Sequence, residues 1–129
     1  MQKITEVFIL LEDRPGSIYE LTRILKKKNI NINAIGLFIE TARIHVDDPD
    51  KAVAVIHESG LPAETREVLG VKLPNKQGAL MELTQKLGNA GINIKYLYGT
   101  MNKGQKEGLI ILEVDQPQLA IDLFKNHKF

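Results

Sequence analysis

The chain repeats itself. The stretch Gly16-Ser17-Ile18-Tyr19-Glu20-Leu21-Thr22 through Ile30-Asn31-Ile32 returns as Gly78-Ala79-Leu80-Met81-Glu82-Leu83-Thr84 through Ile92-Asn93-Ile94, at an offset of 62 residues. Of the 17 paired positions, 8 are identical, and no gap is needed. Val46-Asp47-Asp48-Pro49 echoes Val114-Asp115-Gln116-Pro117 at an offset of 68, so a small insertion lies between. A repeat of this period means one small supersecondary unit made twice, and two copies of any site the unit carries. A unit of about 62 residues buries little of its own surface, so the copies are expected to share a core or an interface.

The length of 129 residues fits one ordinary domain or two very small ones. The net charge is +1, with acids and lysines interspersed, which is not the footprint of a nucleic-acid binder. The basic run Lys26-Lys27-Lys28 falls at a helix end, where it complements the dipole. With no cysteine, disulfides, a thiol nucleophile and cysteine metal sites are excluded. No apolar run approaches the ~18 residues of a membrane span, and no basic and apolar leader opens the chain, so a cytoplasmic location is expected.

Hydrophobic spacing orders the elements. Ile4 to Leu11 reads as a strand, Asp13-Arg14-Pro15-Gly16 as a turn, and Ile18, Leu21, Ile24 and Leu25 as one face of a helix over 17–28. Ser17 and Glu20 have capping-box spacing. Asn29 and Gly91 are placed to end their helices in the left-handed conformation. Strands at 30–38 and 42–46 follow, with a turn at Glu40, then a helix opened by Asp48-Pro49 and broken at Ser59-Gly60-Leu61-Pro62. The second copy predicts strand 68–73, helix 79–89, strands 92–99 and 108–114, and helix 117–125, with a longer hairpin over 101–107.

Strand, helix, strand, strand, helix, strand implies an α+β, ferredoxin-like βαββαβ unit, its antiparallel sheet carrying both helices on one face. The repeats are assigned to 1–66 and 67–129, and the second lacks residues for its fourth strand. Residues 63–73 read as one long strand serving both copies. The edge at Val68 to Leu73 is therefore expected to be covered by another chain or by Met1 to Glu6. On 92–98, Ile94, Tyr96 and Tyr98 share one face, with Leu97, like Ile35 in copy one, on the other. Ile35, Leu97, Leu109 and Ile111 are expected to be buried between repeats or subunits.

Catalysis finds little support. His45, His57 and His127 stand at no ligand spacing, and no nucleophile or phosphate-loop motif is present. Asp47, Asp48 and Asp115 precede helices as caps. No metal or other cofactor is expected. The turn Asp13-Arg14-Pro15-Gly16 and its echo Asn75-Lys76-Gln77-Gly78 are different. Each delivers a glycine to a helix start whose free N–H groups and positive dipole end suit a carboxylate. Asn31 and Asn93 open the next strand, beyond the helix.

Asp-Arg-Pro-Gly-x-Ile-x-Glu-Leu-Thr, followed by Asn-Ile-Asn-Ile, resembles the ACT domain, a small ferredoxin-like module that binds amino acids and regulates metabolic enzymes. Pro-Asn-Lys-Gln-Gly-Ala-Leu with Gly-Ile-Asn-Ile is similar, and the two copies cover nearly the whole chain. The resemblance implies a ligand site where paired units meet, built from the loop after the first strand and the start of the second. A polar residue three before the glycine and an asparagine fifteen after it correspond to Asp13 and Asn31, then Asn75 and Asn93. The implied ligand set is Asn75, Gln77, Gly78, Ala79 and Asn93, with Asp13, Pro15, Gly16 and Asn31 in copy one. Copy two is favoured because both its asparagines donate and accept, whereas Asp13 suits an ammonium and repels a carboxylate. A polar residue five before the glycine, present in some members, is Leu11 and Leu73 here. The expected partners are a free amino acid, a second copy in a homodimer and a separate metabolic enzyme. The chain itself is then a regulatory protein and not an enzyme, or alternatively an assembly module with degenerate sites.

Overall fold

The computed structural model describes residues 1–101 and 103–129. The elements are β1 (Gln2–Leu10), α1 (Ser17–Lys27), β2 (Ile32–Phe38), β3 (Thr41–Val46), α2 (Pro49–Glu58), β4 (Ala63–Pro74), α3 (Ala79–Asn89), β5 (Ile94–Gly99), β6 (Glu107–Val114) and α4 (Pro117–Phe124). The strands pair antiparallel with helices between them, the α+β architecture expected of tandem βαββαβ units. The hairpin expected over 101–107 includes Asn102, which lies outside the described residues.

Two compact units divide the chain: Thr5–Glu67, and Val68–Phe129 together with Met1–Ile4. β1 and β4 are each split by this division and give a stretch to both units. In the first unit, β3 lies between β2 and β1, with Ile35, Ile44 and Val7 in register across the three strands. α1 and α2 bury Leu21, Leu25, Ala52 and Ile56 in the same apolar cluster as Val7, Ile9, Ala42 and Ile44. In the second unit, β6 lies between β4 and β5, and Leu69, Leu112 and Leu97 are in register. Leu83 and Leu87 of α3 and Ala120 and Phe124 of α4 close that core.

Met1–Ile4 join the second unit from the other end of the sequence given. Met1 packs against the core of this unit. Ile4 lies over Gly70 so closely that a Cβ there would meet Ile4 Cδ1 at 3.1 Å. Ile4, from one of the two covers expected for the edge at Val68 to Leu73, thus lies against that strand.

Both second strands carry a bulge just after the repeated asparagine. The register shifts between Ile32 and Ala34, and again between Ile94 and Tyr96. One extra residue turns the following side chains over to the other face. Ile94 therefore packs on the core, while Tyr96 and Tyr98 stack with ring centroids 6.3 Å apart on the opposite face. The expectation that all three share a face fails because strict alternation cannot foresee a bulge. It also misplaces two of the residues expected to be buried on an outer face. Leu97 packs against the helix-covered core, and Ile35, on edge strand β2, is 44% exposed. Ile111 is fully buried, in register with Gly70 and Tyr98.

Helix starts follow two schemes. α1 and α3 begin at Gly16 and Gly78, whose φ of 89° and 88° only glycine adopts without strain. α2 begins at Asp48, whose side chain accepts from Lys51 N at 3.2 Å, with proline next. Its counterpart in α4, Gln116, makes no side-chain cap. Asn29 and Gly91 take the left-handed conformation expected after α1 and α3.

Candidate functional site

The strand–loop–helix junction is built alike in the two units. After β1, Leu11 N donates to Glu40 O at 3.0 Å, and Ser17 N closes the turn onto Arg14 O at 3.3 Å. After β4, Asn75 N donates to Lys106 O at 2.9 Å and Ala79 N closes onto Lys76 O at 3.3 Å. Both caps share a ψ of −11°, so the two turns are near copies. The first intrahelical bonds, Glu20 N to Gly16 O at 3.0 Å and Glu82 N to Gly78 O at 2.8 Å, leave the N–H groups of Ile18 and Tyr19, and of Leu80 and Met81, for solvent or a ligand, while Ser17 N and Ala79 N are engaged by the turns. Asp13, Pro15, Gly16, Asn75, Gln77 and Gly78 are exposed, and Ala79 is buried.

The two loops differ in their side chains. In the first, Arg14 bridges Glu12 at 2.7 Å and Glu20 at 3.2 Å. Hydrogen bonding to Glu12, then to Glu20, raises the Arg14 pKa above its usual value, and the loop is tied to the first turn of α1. In the second, Asn75 Nδ2 donates to Gln105 O at 3.0 Å and ties its loop to the turn before β6. That amide group is thus engaged by the protein itself.

Asn31 and Asn93 lie at the far ends of α1 and α3 from these loops. An 11-residue helix spans about 16 Å, so neither unit brings its loop and its asparagine together. Each asparagine backbone is instead held by an acid. Asn31 N donates to Asp47 Oδ1 at 3.2 Å, and Asn93 N to Asp115 Oδ1 at 2.9 Å. The return bonds run from Asp47 N to Asn31 O at 3.4 Å and from Asp115 N to Asn93 O at 3.1 Å. Asp47 and Asp115 were expected as helix caps. They brace the start of the second strand, and only Asp48 caps.

The capping box at Ser17 is also absent. Gly16 takes the cap position, and no side chain bonds to it. Ser17 is 8% exposed, and its Oγ is buried with no hydrogen-bond partner. Sequence reasoning missed this residue because capping-box spacing assigned its hydroxyl elsewhere. The available signal was Ala79 at the matching position, an apolar residue where Ser17 has a hydroxyl.

The histidines have structural partners. His57 Nε2 donates to Ala63 O at 2.7 Å, and His45 Nδ1 to Thr5 O at 3.1 Å. His127 Nε2 donates to Glu82 Oε1 at 2.9 Å, while its Nδ1 accepts from Lys86 Nζ at 2.9 Å, so the tail is pinned to α3. Among the described residues, no group of three His, Cys, Asp or Glu could hold a metal ion, and no helix is long and apolar enough to cross a membrane.

A family model described as an ACT domain pair matches residues 2–129. The chain belongs to this family. The ACT pair resembles protein BT0572 from Bacteroides thetaiotaomicron at 27% identity and a TM-score of 0.88, covering 95% of this chain and 87% of that one. Its fold also matches the regulatory subunit of aspartate kinase from Thermus flavus, at 13% identity and a TM-score of 0.69, over 94% and 90% of the two chains. The corresponding subunit from Thermus thermophilus, in its ligand-free form, matches at 14% identity and 0.70, over 98% and 93%. No curated protein matches the sequence.

Proposed function

We propose that this ACT pair is a regulatory protein that binds a free amino acid and modulates a separate metabolic enzyme. One observation carries the reading: the two junctions are built with near-identical backbone geometry, each offering unpaired helix N–H groups beside an exposed glycine. The likeness in fold to subunits named as regulatory supports it. On this reading of the molecule as a regulator, the chain is not itself an enzyme and acts in the cytoplasm.

The ligand site proposed is the second copy. Backbone N–H groups near Gly78 and Ala79 receive the carboxylate, beside Asn75 and Gln77. Asn93 receives the ammonium. Because one unit holds these groups at opposite ends of a helix, a second chain completes the site, and the working form is a homodimer. Asp13, Pro15, Gly16 and Asn31 form the weaker equivalent. Control follows if the ligand binds one arrangement of the protein more tightly than another, since only differential affinity moves an equilibrium.

A thermal-shift screen against the twenty amino acids tests the reading. A ligand at 100 times its Kd adds about 2.7 kcal/mol of stability. A rise with one amino acid or a related few is expected. No response to any favours the assembly alternative, for which Leu11 and Leu73 speak. Both are core residues, 6% and 0% exposed, where a polar ligand contact would otherwise stand.

A further inference from the structure

We infer that His127 makes the start of α3 responsive to pH: a proton taken up there exchanges a bond to Lys86 for an ion pair with Glu82, and an anionic ligand group at that helix start then binds more tightly. Resting on the amino-acid reading above, this adds a proton-linked control that belongs to the second unit alone.

The two units hold the same glutamate differently. Glu20 and Glu82 match in the repeat, and each donates its N–H to the cap glycine of its helix. In the first unit the Glu20 carboxylate meets Arg14 at 3.2 Å, and a guanidinium keeps its charge at every working pH. In the second unit the Glu82 carboxylate meets His127 Nε2 at 2.9 Å, delivered by the tail after α4. The other ring nitrogen fixes the charge state. Lys86 Nζ lies 2.9 Å from Nδ1, and an ammonium has only donors, so Nδ1 accepts and the imidazole is neutral. The rings of Phe124 and Phe129 stand edge-on to it, at centroid distances of 5.1 and 4.6 Å. Among the described residues, the charged groups bonded to the ring are Glu82 and Lys86, both of α3. Asp122 of α4 bonds to Gln118 instead, and Lys125 and Lys128, on either side in the tail, are exposed.

Histidine changes charge between about pH 5 and 8. A proton on Nδ1 removes the acceptor that Lys86 uses and sets two cations against each other, so that bond breaks. The same proton turns the Glu82 contact into an ion pair, like that of Arg14 with Glu20. One positive charge is added beside the first turn of α3, where the N–H groups of Leu80 and Met81 are open. A ligand carboxylate is favoured there, and by reciprocity its binding favours the proton. The start of α1 has no such response, because Arg14 is already charged.

Calorimetric titration of the full chain with each of the twenty amino acids, at about pH 5.5 and about pH 7.5, tests this. The carboxylate of each stays ionised across that range. Binding roughly threefold tighter or more at the lower pH is expected. His127→Gln keeps an acceptor for Lys86 and a donor for Glu82 but cannot take the proton, so binding should persist with the pH dependence gone. His45 and His57 bond to backbone carbonyls and remain in that variant. Independently of any ligand, Glu82→Gln should move the titration of the His127 ring, followed by its proton resonances, to lower pH. A ring titration indifferent to Glu82→Gln, equal affinity at the two pH values, or a pH dependence that survives His127→Gln would overturn the switch while leaving the amino-acid reading in place. If none of the twenty binds at either pH, both fall.

Discussion

Ser17 and its counterpart Ala79 show how one atom separates two otherwise matched junctions. The Ser17 hydroxyl is buried without a partner, and an unsatisfied buried donor costs about 1–3 kcal/mol. Ser17→Ala is therefore expected to leave the unliganded protein as stable or more stable, by up to about 1 kcal/mol, in denaturant unfolding. A loss of stability would mean that the hydroxyl is satisfied in solution. Gly16 and Gly78 carry a different constraint. A Cβ at either would meet no atom within 4 Å, so space is open and only the positive φ excludes a side chain. Gly78→Ala should cost about 1–2 kcal/mol in the same experiment, the penalty of the left-handed region. These glycines were legible in the sequence because the repeat isolates them. The orphan hydroxyl was not, since a motif spacing cannot say which way a side chain turns.

The elements themselves were readable to within a residue or two, because apolar spacing in each copy is reinforced by the other. The bulges were not. A strand that opens Asn-Ile-Asn or Asn-Ile-Lys gives no sign that its next residue is inserted, yet the insertion decides that Ile94 enters the core and Tyr96 leaves it. Capping was half readable. Asp48 before Pro49 caps α2 as expected, and Asp48→Ala should lower stability by about 1 kcal/mol, measured as a shift in the unfolding midpoint. The matching change at Gln116, which makes no cap, should lower it by less. Asp47 and Asp115 looked the same in sequence, but their carboxylates point back across the chain to Asn31 and Asn93. Only the folded strand start reveals that partner.

Across the whole molecule, the division of β1 and β4 between two compact units is the feature that ties sequence repeat to structure. Met1–Ile4 are grouped with Val68–Phe129 in one unit. Deleting Met1–Ile4 should therefore weaken the unit at the other end of the sequence. Faster amide exchange along 68–73 is the expected readout, with slower change in Val7 and Ile9. Unchanged exchange there would mean the edge is covered by something else. The repeat announced that two copies of a site should exist, and the structure shows two matched junctions. It also shows that Asn31 and Asn93 lie a helix length from the loops they were grouped with. No spacing argument could have separated these, because residues fifteen apart in sequence meet or part according to the helix between them.

Calorimetric titration of the wild-type chain with each of the twenty amino acids tests the central claim most directly. Saturable heat is expected with one amino acid or a few related ones, with a loss of about 1–3 kcal/mol in the binding free energy at the second-copy site in Asn93→Ala. Absence of heat with all twenty, under conditions where the chain is folded, would contradict an amino-acid regulator and leave an assembly module in its place.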